Sequence, residues 1–270
     1  MVETVTTYNA PFDSVASVYD KEYGETFLME HIRPVIWKSL FSYFHPGDHI
    51  LELNAGTCTD AIKLAEHDIR VTATDASDAM LEIGRRKIAE NNLSAKIDTQ
   101  QVSLENLQVL SKDGHKYDGI FSNFGGLNCA PDLSEVVRDS SELVKPGGIL
   151  IFCIINKLCI WEVLSYLLRG KPAQAFRRMK NGGVDAHIGD TFVHVRYYTL
   201  GDVKKMLSPW YKVEDVYGVS ILSPPPNSGT FSASHQSLVL NLLGLDDTIR
   251  RTFPFYLLAD HFVVVAKRTA

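Results

Sequence analysis

The sequence predicts an α/β fold: a doubly wound, mostly parallel seven-stranded sheet with an N-terminal helical lid and a cap inserted after the fifth strand. Two observations support this. β-rich runs alternate with amphipathic stretches through residues 49–155, and ILELNAGTCTDA, from residue 50, reads as strand, turn and helix start. Such alternation is typical of parallel sheets with right-handed crossovers. With 270 residues, 45% of them hydrophobic, we expect one domain spanning 1–270.

Residues 1–48 precede the alternation and predict the helical lid. Residues 11–23, PFDSVASVYDKEY, lead into a stretch with apolar residues at helical spacing. We expect this segment to lie over the edge of the sheet. The spaced apolar residues are Phe27, Ile32, Val35, Ile36 and Leu40.

The central strands and helices follow from hydrophobic periodicity. Amphipathic stretches at 58–67, 77–91 and 133–144 predict helices, and VKPGG at 144–148 has the Pro and Gly that end the last of them. The β-rich runs between them are HILEL (49–53), RVTATD (70–75), AKIDTQQV (95–102), YDGIFSN (117–123) and GILIFCII (148–155).

Residues 156–198 interrupt the alternation and predict the inserted cap, because long insertions beside a site tend to be functional. The insertion holds an apolar helix, a basic helix at 169–180 and an aromatic strand, FVHVRYY, at 192–198. The basic helix could hold an acidic group, but such a run is usually a solvated face. The tail predicts a helix at 199–208, a strand at 211–219, a loop at 223–229, a helix at 235–243 and a last strand at 261–267.

Composition narrows the class of partner. The formal charge of −5 gives no general attraction for nucleic acid, so we expect a small-molecule partner and no nucleic acid. The four cysteines form no CxxC pair and no signal peptide precedes them, which indicates reduced thiols and a cytoplasmic protein. The longest apolar run, GGILIFCII at 147–155, is too short for a membrane span.

The turn after the first strand predicts a nucleoside site. The first N–H groups of a helix lack internal partners, so a strand, turn and helix start form a cradle for an anion or nucleotide. A dinucleotide fingerprint needs three small residues, and Asn54, Gly56 and Thr59 supply one glycine, which argues against pyrophosphate. Asp75 ends the next strand, where its carboxylate can accept bonds from two ribose hydroxyls or can cap the following helix.

These residues resemble those of the class I S-adenosylmethionine-dependent methyltransferases. In that family the first strand ends in an acid followed by a glycine-rich turn; here LELNAGTC at 51–58 keeps the acid and the middle glycine. The resemblance extends through Asp75, FSNFGGLN at 121–128, KPGG at 145–148 and FDSVASVYD at 12–20. It implies a Rossmann-like sheet, S-adenosylmethionine as cofactor, and in-line methyl transfer to an O, N or C nucleophile of a small molecule.

The resemblance also implies a set of cofactor-binding residues. Glu52 would receive bonds from the turn or from the ammonium group of the ligand, or would only brace the turn. Ser103 stands where the family usually has an acid beside adenine, which leaves a backbone contact. Tyr19 would lie near the sulfonium or would simply pack in the core. The full set is Tyr19, Glu52, Asn54, Ala55, Gly56, Thr57, Asp75, Ala76, Met80, Ser103, Leu104, Asn123 and Phe124.

The insertion supplies candidates for the acceptor side. If the acceptor is a hydroxyl, a base with a pKa near 7 helps, and histidine is the natural choice. His187 and His194 are therefore candidate catalytic residues, with Arg196 and Tyr198 as candidate substrate-binding residues. His194, Arg196 and Tyr198 share one face of the predicted strand, which could line a pocket or could equally face solvent.

Two other functions stay open. An NAD(P)-dependent oxidoreductase could use a similar sheet, but the turn lacks the glycines and the chain has no Tyr-x-x-x-Lys pair. A non-catalytic protein that binds S-adenosylmethionine or another nucleoside would also keep Glu52, Gly56 and Asp75. The sequence does not identify the acceptor or the oligomeric state, and no residue pattern in it indicates a metal site.

Overall fold

A computed structural model describes residues 10–112 and 114–270 of the chain. The β-strands, in chain order, are β1 His49–Leu53, β2 Arg70–Asp75, β3 Ile97–Gln101, β4 Tyr117–Ser122, β5 Val144–Ile155, β6 Val184–Ile188, β7 Thr191–Val195, β8 Tyr211–Val219 and β9 His261–Arg268.

Among the described residues, two α-helices precede β1 and the others lie in the connections between strands. They are α1 Ala16–Tyr19, α2 Phe27–Tyr43, α3 Thr59–Ala65, α4 Asp78–Glu90, α5 Leu133–Leu143, α6 Ile160–Leu168, α7 Pro172–Ala175, α8 Leu200–Leu207, α9 Gly229–Ser234 and α10 Gln236–Ile249. Among them, no helix combines the length and the apolar character needed to span a bilayer.

Seven strands form the main sheet in the order β3-β2-β1-β4-β5-β9-β8. β1 to β5 pair in parallel, whereas β9 runs antiparallel between β5 and β8, with His261 opposite Ile155. The predicted α/β, mostly parallel seven-stranded fold is confirmed. Because β9 is reversed, its first residue lies at the edge where the parallel strands end.

The core lies on both faces of the main sheet. On one face α2 contributes Leu28, Ile32 and Leu40, all with 1% exposure or less, to a cluster that includes the strand residue Ile50. On the other face residues of α5 and α8 pack against the same strands. α2 therefore belongs to the core and is not a lid, which corrects the expectation for residues 27–43. The reason is that the apolar face of α2 packs against the face of the sheet. Residues 1–9 of the expected lid lie outside the described residues.

The insertion between β5 and α8 differs from its expected form. The expected basic helix is the four-residue α7 followed by a 3-10 turn at Arg177–Met179. Arg178 is buried rather than solvated, because carboxylates of Glu162 and Asp260 lie against it. The aromatic strand ends at Val195 and pairs with β6 in a separate hairpin. Further on, the helix expected at 235–243 is extended to Ile249 and preceded by α9.

Candidate active site

A cavity of about 530 Å³ lies at the carboxyl edge of the main sheet. Its walls come from the turn after β1, the end of β2, the loop after β4, the start of β9, the segment at residues 10–23 and the insertion. Ligands of doubly wound sheets bind at this edge, outside the carboxyl ends of the strands. The volume is within the usual range of small-molecule sites, roughly 300–1,000 Å³.

The turn after β1 is built from left-handed backbone. Asn54, Gly56 and Cys58 have φ values of 56°, 54° and 60°. Asn visits this region more readily than most residues, which explains why it can stand where a glycine is usual. A Cβ added to Gly56 would have only the Cε atom of Met80 nearby, at 3.3 Å. The turn therefore presents bare backbone to the cavity.

Asp75 is fixed beside this turn. Its Oδ2 accepts a 2.8 Å hydrogen bond from the amide of Gly56, and its Oδ1 accepts a 2.9 Å bond from the amide of Ser77. Burial raises the pKa of Asp75, although these backbone hydrogen bonds oppose the shift. A carboxylate has about four acceptor positions, so acceptor capacity remains for a hydroxyl donor in the cavity.

Glu52 is a buried carboxyl group with an unpartnered oxygen in the site. It is 2% exposed, and its Oε2 has no hydrogen-bond partner among the described residues. Burial and the nearby Asp60 and Asp75 carboxylates raise its pKa well above the usual value, against the opposing charge of Arg33. A buried acceptor without a partner is costly. A cationic or hydrogen-bonding ligand in the cavity would relieve that cost.

A second buried carboxylate organises the loop after β4. Asp60 accepts hydrogen bonds from Arg33 and Trp37 at 2.7 Å, and from Nδ2 of Asn123 at 2.9 Å. Phe124 adopts a left-handed backbone, φ 47°, and the guanidinium of Arg33 lies 5.0 Å from the centroid of its ring. This network fixes Asn123 and Phe124 just after the carboxyl end of β4.

The segment at residues 10–24 closes one side of the cavity. Asp20 accepts hydrogen bonds from the Thr57 hydroxyl and from the Lys87 ammonium, while Asp13 accepts one from the Ser77 hydroxyl. Residues 20–24 form a π-helical turn. Such turns are rare in proteins, and those that occur are often at functional sites. The segment is thus tied to both turns that border Asp75.

Tyr19 lies in this segment and lines the cavity. Burial raises its pKa to about 12, although the charge of Arg33 opposes the shift. The phenol is therefore neutral at physiological pH. What Tyr19 offers a ligand is the face of its ring or its hydroxyl hydrogen, not a phenolate.

All thirteen residues expected to bind the cofactor line this cavity. The structure brings them together from five separate stretches of the chain, so the sequence order correctly indicated their convergence. Their contact with a ligand remains a prediction. They are Tyr19, Glu52, Asn54, Ala55, Gly56, Thr57, Asp75, Ala76, Met80, Ser103, Leu104, Asn123 and Phe124.

The expected catalytic histidines are not placed for base catalysis, which corrects that expectation. His187 is exposed, with its ring 5.0 Å from that of Phe192, and it does not line the cavity. His194 borders the cavity, but Nδ1 lies 2.7 Å from Asp185 and Nε2 lies 2.6 Å from the Gly182 carbonyl. Since both nitrogens face acceptors, these contacts raise the pKa of His194 and favour the cation, which has no lone pair for a proton.

The two expected substrate-binding residues also lie outside the cavity wall. Arg196 donates to the carbonyl of Ala130 at 3.2 Å, and its backbone is held by Asn128. Tyr198 packs partly buried against the core and bridges to Asn156. Both residues therefore join the insertion to the sheet. Strand β7 turns its buried residues Val193 and Val195 toward the cavity instead.

Sequence reasoning missed a polar group on the part of the cavity wall that β9 and the insertion form. His261 begins β9, Asp260 precedes it, and Arg178 comes from the insertion; all three line the cavity. A signal existed in the expected strand at 261–267, since an antiparallel last strand would start at the ligand edge. No pattern in the basic run at 169–180 indicated that Arg178 would be buried.

Residues 50–148 match the family described as methyltransferase domain. A ubiquinone biosynthesis O-methyltransferase of Coxiella burnetii is 27% identical over 111 residues, which are 41% of this chain and 45% of that protein. A demethylmenaquinone methyltransferase of Clavibacter sepedonicus is 30% identical over 151 residues, 54% of this chain and 56% of that protein. The chain spans about half the length of these curated relatives.

Solved structures share the fold over nearly the whole chain. The CcbJ methyltransferase of Streptomyces caelestis superposes with a TM-score of 0.61 at 17% identity, covering 96% of this chain and 97% of that one. The [4+2]-cyclase SpnF superposes with a TM-score of 0.61 at 14% identity, covering 96% and 94%. Residues 50–148 therefore match a methyltransferase domain, and the chain shares its fold with these solved structures, in agreement with the resemblance to the class I S-adenosylmethionine-dependent methyltransferases.

Proposed function

We propose that this protein transfers a methyl group from S-adenosylmethionine to a nucleophilic atom of a small molecule. The observation that carries the proposal is the unpartnered, buried Oε2 of Glu52 in the same cavity as the Gly56 turn and Asp75. An acceptor oxygen without a partner, bare left-handed backbone and a carboxylate with free acceptor positions fit the donors and the shape of that cofactor.

Different residues would contact different parts of the cofactor. Asp75 would accept the ribose hydroxyls, with Met80 and Leu104 against the adenine and Glu52 near the ammonium group. The loop after β4, with Asn123 and Phe124, would contact the methionine part. Tyr19 would close this end, where an aromatic ring attracts a cation by roughly 0.5–2 kcal/mol.

When bound, the cofactor supplies a methyl group made electrophilic by its sulfonium. The chain's own task is alignment, because methyl transfer is an in-line displacement and needs no covalent enzyme intermediate. Correct positioning of two reactants can contribute roughly 7–11 kcal/mol to lowering a barrier. The wall formed by Phe124, Val193 and Val195 would orient the acceptor and exclude water.

Residues 156–198 would form the acceptor side of the site, and residues 10–24 would cover the cofactor. The insertion supports its part because Val193, Val195 and Tyr197 border the same cavity as the Gly56 turn. The N-terminal segment supports its part because it is tied to Thr57 and Ser77.

The acceptor class follows from the wall and from the relatives. The wall is mostly apolar, which suits an organic molecule of moderate size rather than an extended polymer. The two curated relatives are named for methylation in ubiquinone and demethylmenaquinone chemistry. A hydroxylated aromatic compound is therefore the first acceptor to test.

Calorimetry tests the cofactor before any acceptor is known. We expect S-adenosylmethionine and S-adenosylhomocysteine to bind, and NADH and NADPH not to bind. Binding of a nicotinamide cofactor alone would favour the oxidoreductase alternative.

Mass spectrometry then tests turnover, with the protein incubated with S-adenosylmethionine and hydroxylated aromatics. Cofactor binding without a methylated product from any acceptor would favour the non-catalytic alternative.

A further inference from the structure

His261 lies in the cavity wall, at the edge of the sheet where the parallel strands end. β9 pairs with β5 so that His261 stands opposite Ile155, the last residue of β5. The ring of His261 packs edge-on against Phe124, with centroids 6.2 Å apart. Its Nε2 would be 3.6 Å from a Cβ placed on Gly125. The histidine thus adjoins the loop that is expected to hold the methionine part of the cofactor.

The environment of His261 is buried and acidic on one side. The residue is 5% exposed and lines the cavity. Its Nδ1 lies 2.8 Å from Oδ2 of Asp260, although the two atoms are not aligned as a hydrogen bond. The carboxylate of Asp260 thus lies on the Nδ1 side of the ring. Nε2 is the nitrogen near Gly125 and the cavity.

Asp260 is held as an anion by Arg178. Nη2 of Arg178 lies 2.6 Å from Oδ1 of Asp260, and the same guanidinium contacts Glu162. Burial would raise the pKa of Asp260, but the positive charge of Arg178 outweighs it and holds that pKa below its usual range. The carboxylate therefore stays charged and can stabilise a proton gained by the adjacent imidazole.

We propose that His261 is a catalytic base for a hydroxyl acceptor and that Asp260 positions it. This inference rests on the proposed methyl transfer and names its acceptor class: a hydroxyl group on a largely apolar small molecule. Arg178 is a second positioning residue because it fixes Asp260 rather than touching the acceptor.

The step balances in atoms and charge. The acceptor O–H proton passes to Nε2 of His261 as the oxygen forms a bond to the methyl carbon and the carbon–sulfur bond breaks. The sulfonium becomes a neutral thioether, and the positive charge moves to the imidazole, where Asp260 compensates it. The proton then leaves to solvent. General-base catalysis of this kind contributes roughly 10²- to 10⁴-fold.

The charges around His261 favour a neutral hydroxyl over other acceptors. Arg178 and Arg177 are paired with Glu162 and Asp260, so these four charges are satisfied within the protein and are not available to a carboxylate or ammonium substrate. A neutral amine attacks with its own lone pair and loses its proton afterwards, so it needs a base less. A neutral hydroxyl gains most from a base beside it.

The test uses full-length protein, a paired substitution and paired probes. His261→Gln removes the base, and His187→Gln is the matched control on the exposed side of the hairpin. The probes are 4-nitrocatechol and 4-methylcatechol, which are similar in shape but differ in hydroxyl acidity, and the corresponding anilines. Cofactor affinity is measured by calorimetry. ¹⁵N NMR of the histidines in cofactor-free protein reports which nitrogen of His261 carries the proton.

We expect His261→Gln to lower kcat on 4-methylcatechol at least about 100-fold, to lower it less on the more acidic 4-nitrocatechol, and to change cofactor affinity less than about twofold. NMR should show a bare Nε2 in the neutral ring. His187→Gln should match the wild type.

Several results would overturn this inference alone: a proton on Nε2, full turnover in His261→Gln, methylation of anilines only, or no methylation of either catechol by protein that binds the cofactor. Failure of the wild type to bind S-adenosylmethionine would instead reject the proposed function, and this inference with it.

Discussion

The amide of Gly56 donates a hydrogen bond to Oδ2 of Asp75, joining the turn after β1 to the end of β2. The bond means that the two features expected to hold the cofactor are one unit. The turn orients the carboxylate, and the carboxylate fixes the left-handed conformation of the turn. A change at either residue should therefore affect the same ligand.

The first prediction concerns the carboxylate. Asp75→Ala removes the acceptor of two expected ribose hydrogen bonds, each charge-assisted and worth roughly 1.5–3 kcal/mol. We expect affinity for S-adenosylmethionine to fall at least tenfold, since each ~1.4 kcal/mol is a factor of ten. Calorimetry measures this, with thermal unfolding as a check on the fold. An unchanged dissociation constant in the folded variant would exclude the ribose role.

The second prediction concerns the bare backbone of the turn. Gly56→Ala places a methyl group at φ 54°, with only Met80 nearby, so the group would point into the space expected for the cofactor. Gly47→Ala is the control, because Gly47 also has a positive φ, 93°, and no atom of the described residues lies within 4 Å of an added Cβ.

Both alanine variants should lose stability from backbone strain, roughly 1–2 kcal/mol. Only Gly56→Ala should also lose the thermal stabilisation given by added S-adenosylmethionine, which follows from mass action. If the cofactor stabilises the two variants equally, the turn does not approach the ligand.

Sequence predicts the site residues whose positions follow from short spacings along the chain, and it does not predict those that depend on contacts between distant segments. Asp75 was predictable because a fixed spacing along the chain, from turn to strand end, places it there. The burial of Arg178 was not, since its partners Glu162 and Asp260 are 16 and 82 residues away and only the tertiary fold brings them together. The position of His261 depends on the direction of β9, which hydrophobic periodicity does not encode.

The third prediction uses the pKa of Glu52. Because that pKa is raised in the folded protein, the folded state binds more protons than the unfolded state above the usual pKa of about 4.3, so stability falls as pH rises. Glu52→Gln removes this loss. The ligand-free variant should have a Tm several degrees above that of the wild type at pH 8 and a smaller difference at pH 5.

The same substitution should weaken binding of S-adenosylmethionine about tenfold or more, because a charged acceptor is lost. Glu66→Gln is the control, since Glu66 is exposed and pairs only with Lys63 at the surface. A Glu52→Gln variant that is less stable than the wild type at pH 8 would show that protein groups already stabilise the carboxylate, so that no ligand is needed to do so.

The last prediction distinguishes two roles of the Tyr19 ring: contact with the sulfonium of the cofactor, or packing against its neighbours. If its ring lies near the sulfonium, Tyr19→Leu should reduce affinity for S-adenosylmethionine by roughly 0.5–2 kcal/mol more than affinity for S-adenosylhomocysteine, whose thioether is neutral. Tyr19→Phe keeps the ring and should preserve the ratio of the two dissociation constants. Calorimetry with both ligands on the three proteins measures that ratio. If Tyr19→Leu weakens both ligands equally, the ring acts by packing, as its contacts with Phe12 and Tyr23 would allow.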